Sequence, residues 1–181
     1  MSWAVEIVPW NSPFYWVVWG VVAFTRAMDF LSTWVATPNL LLEGNPVAKW
    51  LGWKRGLVLN AVLSLVCAFF PLPAVIISTT SLLVAARNFQ SAWLMRTWGE
   101  EAYRDWFVAR MLEVRPAVFL LCLAGNTGLT GLVGGALVYW SGWQVVPFGI
   151  GVGMLGYAAA VAFYSALAFW RTRRTFRYRH D

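Results

Sequence analysis

The chain has few charged residues and almost no histidine or cysteine. Only 12% of its 181 residues are charged, against roughly 25% in soluble domains, and 60% are hydrophobic. The one histidine, His180, stands next to the last residue. Histidine-ligated metal or haem and a Ser-His or Cys-His nucleophile are therefore excluded from the apolar segments. Cys67 and Cys122 stand apart within apolar runs, so neither a redox motif nor a disulfide framework is indicated.

The sequence contains several long apolar segments. Because a membrane helix needs about 20 apolar residues, the sequence predicts an all-α polytopic membrane helical bundle with about five transmembrane helices. We expect one membrane domain over residues 1–181, with Pro71 and Pro73 ending the second span. The predicted spans are 14–35, 56–70, 74–94, 117–140 and 144–169, with an amphipathic cytoplasmic surface helix over 99–115 and a basic tail over 170–181.

The positive charges predict an orientation. The chain has 14 lysines and arginines, and all except Arg26 and Arg87 fall in the segments that join or follow the spans on one side. The positive-inside rule then places the N-terminus outside and the C-terminus inside. In this orientation most of the 13 tryptophans lie near the two membrane boundaries, as anchoring side chains do. Orientation accounts for the basic residues without a nucleic-acid partner.

A small set of polar residues lies within the predicted spans. Arg26, Asp29 and Thr33 follow one another at i, i+3 and i+7, so they share one face of the first helix. Ionisable groups inside a span are costly unless they are paired or hydrated. Two interpretations remain open: an ion-pair network that fixes the helices, or a polar pocket facing the cytoplasm. The candidate pocket residues are Arg26, Asp29, Thr33, Glu43, Asn45, Asn60, Arg87 and Asn88.

Glycines are concentrated in the last two spans. Gly131 with Gly135, and Gly149 with Gly153, form small-x-x-x-small pairs that allow helix backbones to approach closely. Because only residues 141–143 separate these spans, we expect an antiparallel hairpin packed through these four glycines. The alternative is that the smooth glycine face receives a lipid, a pigment or a partner helix.

One motif carries a resemblance. The segment Asp29-Phe-Leu-Ser-Thr33, followed by Glu43-Gly-Asn45-Pro46, resembles the D-x-x-(S/T)-T … E-x-N-P pattern of a small uncharacterised bacterial family of multi-spanning membrane proteins. The resemblance covers residues 26–95. It implies a bacterial membrane protein and no known activity, and Asn60 stands where that family's pattern has a lysine.

These observations favour a protein without catalysis. Two carboxylates without a histidine or an evident nucleophile predict no catalytic residue, no metal site and no cofactor, although a bound lipid is compatible with the pattern. The first hypothesis is an accessory or scaffold subunit of a bacterial inner-membrane complex, with lipids, other subunits or a second copy as partners. The alternative is a lipid- or small-molecule-binding protein, transporter or intramembrane enzyme using the pocket around Asp29 and Arg87. A third hypothesis is electrostatic docking of the tail on anionic lipid or nucleic acid.

Overall fold

The computed structural model describes residues 7–44 and 46–177. Within these residues the chain forms six α-helices and no strand, so the predicted all-α class is confirmed for the described part. The helices are α1 Pro13–Ala36, α2 Pro46–Cys67, α3 Pro71–Trp98, α4 Glu100–Glu113, α5 Pro116–Trp140 and α6 Val145–Arg177.

Proline begins several of these helices. Pro13, Pro71 and Pro116 occupy the first turns of α1, α3 and α5, where the missing N–H costs nothing and the fixed φ favours the helix. The Ser12 side chain also accepts a hydrogen bond from the Tyr15 backbone N–H at 3.1 Å, which caps α1. The local sequence therefore determines where these helices begin.

Four of the six helices are long and apolar enough to cross a membrane. They are α1, α3, α5 and residues Val145–Thr175 of α6. The prediction of a membrane protein agrees with these helix lengths and compositions. The second predicted span differs, because α2 begins ten residues before position 56 and has a non-helical residue, Gly52, at φ 63°. Its first half carries Lys49, Lys54 and Arg55, which lower its mean hydropathy, and a fifth span stays a prediction.

The last helix is longer than the sequence predicts. α6 continues to Arg177 and includes most of the predicted tail, while residues 178–181 lie outside the described residues. The Arg173 guanidinium donates hydrogen bonds to the backbone oxygens of Leu112, at 3.1 Å, and of Val114. It also lies 4.6 Å from the centre of the Phe169 ring. Arg173 thus donates to carbonyls at the end of α4 that have no acceptor role within the helix, and this contact connects α4 to α6.

α3 is the central helix. It packs against α1 and against α6, whereas α5 packs chiefly against α6, and α2 makes fewer contacts with α1 and α3. The face of α3 that is buried consists of small residues, which let neighbouring helices approach. These residues are Ala74, Ser78, Ser81, Ala85 and Ala92.

The glycines pack differently from the prediction. Gly149 and Gly153 are buried, but their close neighbours belong to α3 and not to α5. A Cβ at Gly153 would lie 2.8 Å from the Ile76 backbone oxygen. At Gly131 and Gly135 a Cβ would meet no atom within 4 Å. Spacing alone marks small residues, but the rotation of α6 between two neighbours decides which helix each glycine contacts.

The α5–α6 hairpin has one close backbone contact. A Cβ at Gly151 would lie 2.6 Å from the Gly134 backbone oxygen, and a Cβ at Gly134 would lie 2.9 Å from the Gly151 backbone oxygen. Near the other end of the pair, the rings of Phe119 and Phe169 stack with their centres 4.2 Å apart. The two helices are therefore antiparallel, as the hairpin prediction expects.

Candidate functional site

The Arg26 side chain joins three helices. It projects from α1 and donates hydrogen bonds to Asp29 Oδ2 at 2.8 Å and to Ser81 Oγ of α3 at 2.9 Å. Its Nε donates to Asn60 Oδ1 of α2 at 2.7 Å, and its Nη2 donates to the same oxygen. We call Arg26, Asp29, Asn60 and Ser81 the arginine cluster. One guanidinium thus fixes the relative positions of α1, α2 and α3.

The arginine cluster lies deep in the bundle. Arg26 is 13 residues from Pro13 and ten from Ala36, or about 20 Å and 15 Å along the helix. The side chains of Arg26 and Asp29 are only 24% and 17% exposed. A lone charge at this depth is costly, whereas an arginine paired with a carboxylate is neutral as a unit. The sequence spacing of three residues gives this pair directly.

A second polar contact lies one turn further along α1. The side-chain amide of Asn88 donates to Ser32 Oγ and to Thr33 Oγ1, each at 3.2 Å. The Ser32 and Thr33 hydroxyls in turn donate to the Asp29 backbone oxygen, at 2.8 and 3.0 Å. Asn88 therefore connects α3 to α1 without a second charge.

The structure brings together only part of the predicted pocket. Arg26, Asp29, Thr33, Asn60 and Asn88 lie in or beside the arginine cluster. The remaining predicted residues are Arg87, Glu43 and Asn45.

Arg87 lies apart from the cluster. Its side chain is exposed, and no hydrogen bond or ion pair joins it to any residue that the structure describes. Glu43 lies in the α1–α2 connection, close enough for its charge to repel that of Asp29. Asn45 lies outside the described residues. Arg87 therefore lies outside the arginine cluster, and Ser81 is the α3 residue that accepts a hydrogen bond from Arg26.

A groove runs beside the arginine cluster, between α1 and α2. Its volume is about 780 Å³, and Arg26 and Asn60 contribute the charged and amide groups of its lining. Most of the remaining lining is apolar. The aromatic side chains among the lining residues are Trp19, Phe30, Trp34 and Trp53. The arrangement can hold and orient a ligand. Ser64 supplies the hydroxyl of the lining, and this hydroxyl donates to the Asn60 backbone oxygen at 2.8 Å.

Sequence reasoning missed Ser81, although a signal for it exists. Ser81 precedes Asn88 by seven residues, so the two side chains share one face of α3. The same face carries Ala74, Ser78 and Ala85. Because these small residues recur on the face of α3 that packs against a neighbouring helix, their spacing predicts that Ser81 and Asn88 face α1 and that Arg87 does not.

Glu100 is a second residue that the sequence did not single out. It is buried at the start of α4, where its carboxylate accepts four hydrogen bonds from the α1–α2 connection. Thr37 Oγ1 donates at 2.6 Å and the Leu41 N–H at 3.0 Å, both to Oε2. The backbone N–H and the side-chain amide of Asn39 donate to Oε1 at 2.8 and 3.0 Å. A contact between residues 63 positions apart leaves no local signal in the sequence.

These hydrogen bonds set the pKa of Glu100. Burial alone would raise the pKa of this carboxyl group, but the bonds from Thr37, Asn39 and Leu41 outweigh burial and hold it below its ordinary value of 4.5. A carboxylate with a lowered pKa stabilises the fold above pH 4.5. That stabilisation disappears as the pH falls through the pKa of the folded state.

We expect Glu100→Gln to lower the free energy of unfolding by about 2 kcal/mol at neutral pH. The substitution replaces one carboxylate oxygen by an NH₂ group, which cannot accept the hydrogen bonds that this oxygen now receives. The unfolding temperature of the wild type should fall as the pH drops below 4.5, and that of Glu100→Gln should fall less. Intrinsic fluorescence during heating in detergent, at several pH values, measures both. Glu101→Gln changes an exposed neighbour and should follow the wild type. Equal behaviour of the two variants would contradict the role of Glu100.

The described residues hold no group of three His, Cys, Asp or Glu side chains that could bind a metal ion. Comparison with family models, with curated proteins and with solved structures finds no match to this chain. The resemblance on Asp29 to Thr33 and on the Glu43 segment therefore stays a prediction.

Proposed function

We propose that the protein is a multi-pass, non-catalytic subunit of a bacterial inner-membrane assembly, and that α5 is the helix that contacts its neighbour. The supporting observation is the uncovered side of α5. Gly134 is the one buried residue among the 25 of this helix, which packs chiefly against α6. The side away from α6 is exposed. We call it the α5 face, and it comprises Val118, Leu121, Cys122, Gly125, Leu129 and Leu132.

A polar side chain flanks the α5 face in the middle of the helix. Asn126 is ten residues from Pro116, which places it about 15 Å along the helix axis. It is exposed, and no residue of the described chain forms a hydrogen bond with its side-chain amide. Hydrocarbon offers no partner to such an amide, whereas a neighbouring helix does.

A second copy of the chain fits this face. An asparagine amide both donates and accepts, so two copies related by a twofold axis satisfy each other through the same residue. Gly125, one position earlier, leaves open space where a neighbouring backbone can approach. The partner that we propose is therefore another molecule of this protein, packed through α5.

The distribution of positive charge supports an orientation for this subunit. We propose the N-terminus outside and the C-terminus inside, with α2 forming a fifth span after Gly52 and α4 lying on the cytoplasmic surface. The exposed arginines at the end of α6, Arg171 and Arg174, would then face the anionic leaflet. Each contributes about 1 kcal/mol of attraction to that surface.

Replacement of Gly125 by isoleucine tests the interface. In a single molecule the new side chain meets no atom within 4 Å of its Cβ, so we expect the fold to persist and association of two copies to weaken at least tenfold, that is by about 1.4 kcal/mol. Asn126→Leu should weaken association by about 1 kcal/mol, because it removes the interhelical hydrogen bonds. Light scattering and native mass spectrometry in mild detergent measure the mass.

The matched control is Gly156→Ile on α6, because Gly156 is also exposed with open space around it. It should leave the association state unchanged. A wild type that stays monomeric in nanodiscs and in mild detergent, or three variants that behave alike, would contradict the α5 interface. Copurification of a different membrane protein, lost in Gly125→Ile, would keep the subunit role and replace the second copy as partner.

A further inference from the structure

The groove between α1 and α2 contains hydrogen-bond donors that the protein does not use. A guanidinium has five N–H groups, and Arg26 uses four of them, one through Nε to Asn60, two through Nη1 to Asp29 and Ser81, and one through Nη2 to Asn60. The Asn60 amide donates one N–H to the Gly56 backbone oxygen at 2.8 Å. One N–H of Arg26 and one of Asn60 therefore have no acceptor among the described residues.

These two donors call for an acceptor from outside the chain. Arg26 and Asn60 both line the groove, which opens between helices at mid-span depth. Leaving a polar group unsatisfied in hydrocarbon is energetically unfavourable, so a ligand oxygen that accepts these hydrogen bonds binds favourably. A ligand that is only a hydrocarbon chain would leave them unsatisfied.

The charge of the arginine cluster selects a neutral acceptor. The positive charge of Arg26 is already paired with Asp29. An anionic headgroup would leave a net negative charge at a depth where uncompensated charge is costly, and it would also have to shed its water. A carbonyl oxygen accepts both hydrogen bonds and adds no charge.

The walls of the groove favour a planar ring. Trp19, Phe30, Trp34 and Trp53 supply flat aromatic surfaces along its length. The rings of Phe30 and Trp53 already meet edge to face, with centres 4.9 Å apart. A volume of about 780 Å³ is within the roughly 300–1,000 Å³ range of small-molecule sites and has room for a ring with a short alkyl chain.

We propose that this groove binds a neutral, membrane-soluble molecule that carries a carbonyl group on a planar ring, the chemical class of the quinones. The carbonyl oxygen accepts hydrogen bonds from Arg26 Nη2 and Asn60 Nδ2, while the ring lies against the aromatic walls. The proposal concerns binding alone. It does not depend on the α5 interface, so either proposal can fail without the other.

Equilibrium binding of radiolabelled decylubiquinone to the full chain in detergent micelles tests the proposal. The wild type should show saturable binding. Ala61→Trp adds a large side chain to the groove lining from α2 and keeps all four residues of the arginine cluster, and we expect at least tenfold weaker binding. The matched control is Val62→Trp, because Val62 is 51% exposed and does not line the groove; it should bind as the wild type does. Asn60→Leu removes the Nδ2 donor, together with the oxygen that accepts two hydrogen bonds from Arg26, and it should weaken binding about tenfold.

Competition with unlabelled molecules shows whether the groove recognises the carbonyl group, the ring alone or a carboxylate. Decylbenzene has a ring and the same chain length but no carbonyl, and oleate brings a carboxylate. Neither should displace the label at tenfold excess. Absence of saturable binding, equal affinity in Ala61→Trp and Val62→Trp, or displacement by decylbenzene would overturn the proposal. Displacement by oleate but not by decylbenzene would also overturn it and identify an anionic ligand.

Discussion

Arg26→Met is expected to lower the free energy of unfolding by about 3–5 kcal/mol, because breaking a buried ion pair leaves its other member uncompensated. Asp29, whose side chain is 17% exposed, would keep a negative charge with no cation beside it. The Asn60 oxygen and the Ser81 hydroxyl would lose their donor in the same step. Methionine fills a similar volume, so the loss reports the polar contacts and not a cavity. Fluorescence-detected thermal unfolding and the yield of folded protein in mild detergent measure it.

Two further variants separate this effect from a general intolerance to losing an arginine. Arg87→Met removes an exposed arginine that has no described partner, and we expect it to change the unfolding temperature little. Asp29→Asn added to Arg26→Met removes the uncompensated charge and should recover part of the stability. Equal losses from Arg26→Met and Arg87→Met, or no recovery in the double variant, would mean that the arginine cluster does not fix the three helices.

The arginine cluster was partly predictable because helical spacing fixes relative positions on one helix. Arg26 and Asp29 stand three residues apart, and their ion pair follows from that spacing alone. Position along a helix also gives the depth of a residue in the bundle, and Asn60 of α2 lies at the level of Arg26. Depth does not give the rotation of α3, however, and rotation decides between Arg87 and its neighbour Asn88. The small residues on the buried face of α3 indicate this rotation, because they mark the side that packs against neighbouring helices.

The limits of the fold prediction have the same origin. Prolines mark the starts of helices locally, and the predicted ranges of the first and fourth spans lie within one residue of α1 and α5 at each end. The bend at Gly52 and the anchoring of the α1–α2 connection by Glu100 are tertiary effects. Four donors converge on Glu100 from residues that lie about 60 positions earlier. No periodicity in the chain indicates such a contact.

Gly151→Leu is expected to lower the free energy of unfolding by about 3 kcal/mol, because overpacking a close helix contact forces the helices apart. A Cβ at Gly151 would lie 2.6 Å from the Gly134 backbone oxygen and 2.9 Å from the Val138 backbone nitrogen. Backbone atoms cannot move aside as a flexible side chain can, so α5 must shift away from α6. Thermal unfolding in mild detergent measures the loss.

The same substitution at Gly156 provides the control for Gly151→Leu. Gly156 belongs to the same helix and has open space around it, so leucine there should leave stability unchanged or raise it by up to about 1 kcal/mol, since glycine is a poor helix former. Gly135→Leu should behave similarly on α5, although its small-x-x-x-small spacing to Gly131 predicts a packing role. If Gly135→Leu destabilises the protein as much as Gly151→Leu does, then Gly135 packs against a partner that covers α5, and the association state of that variant should fall with its stability.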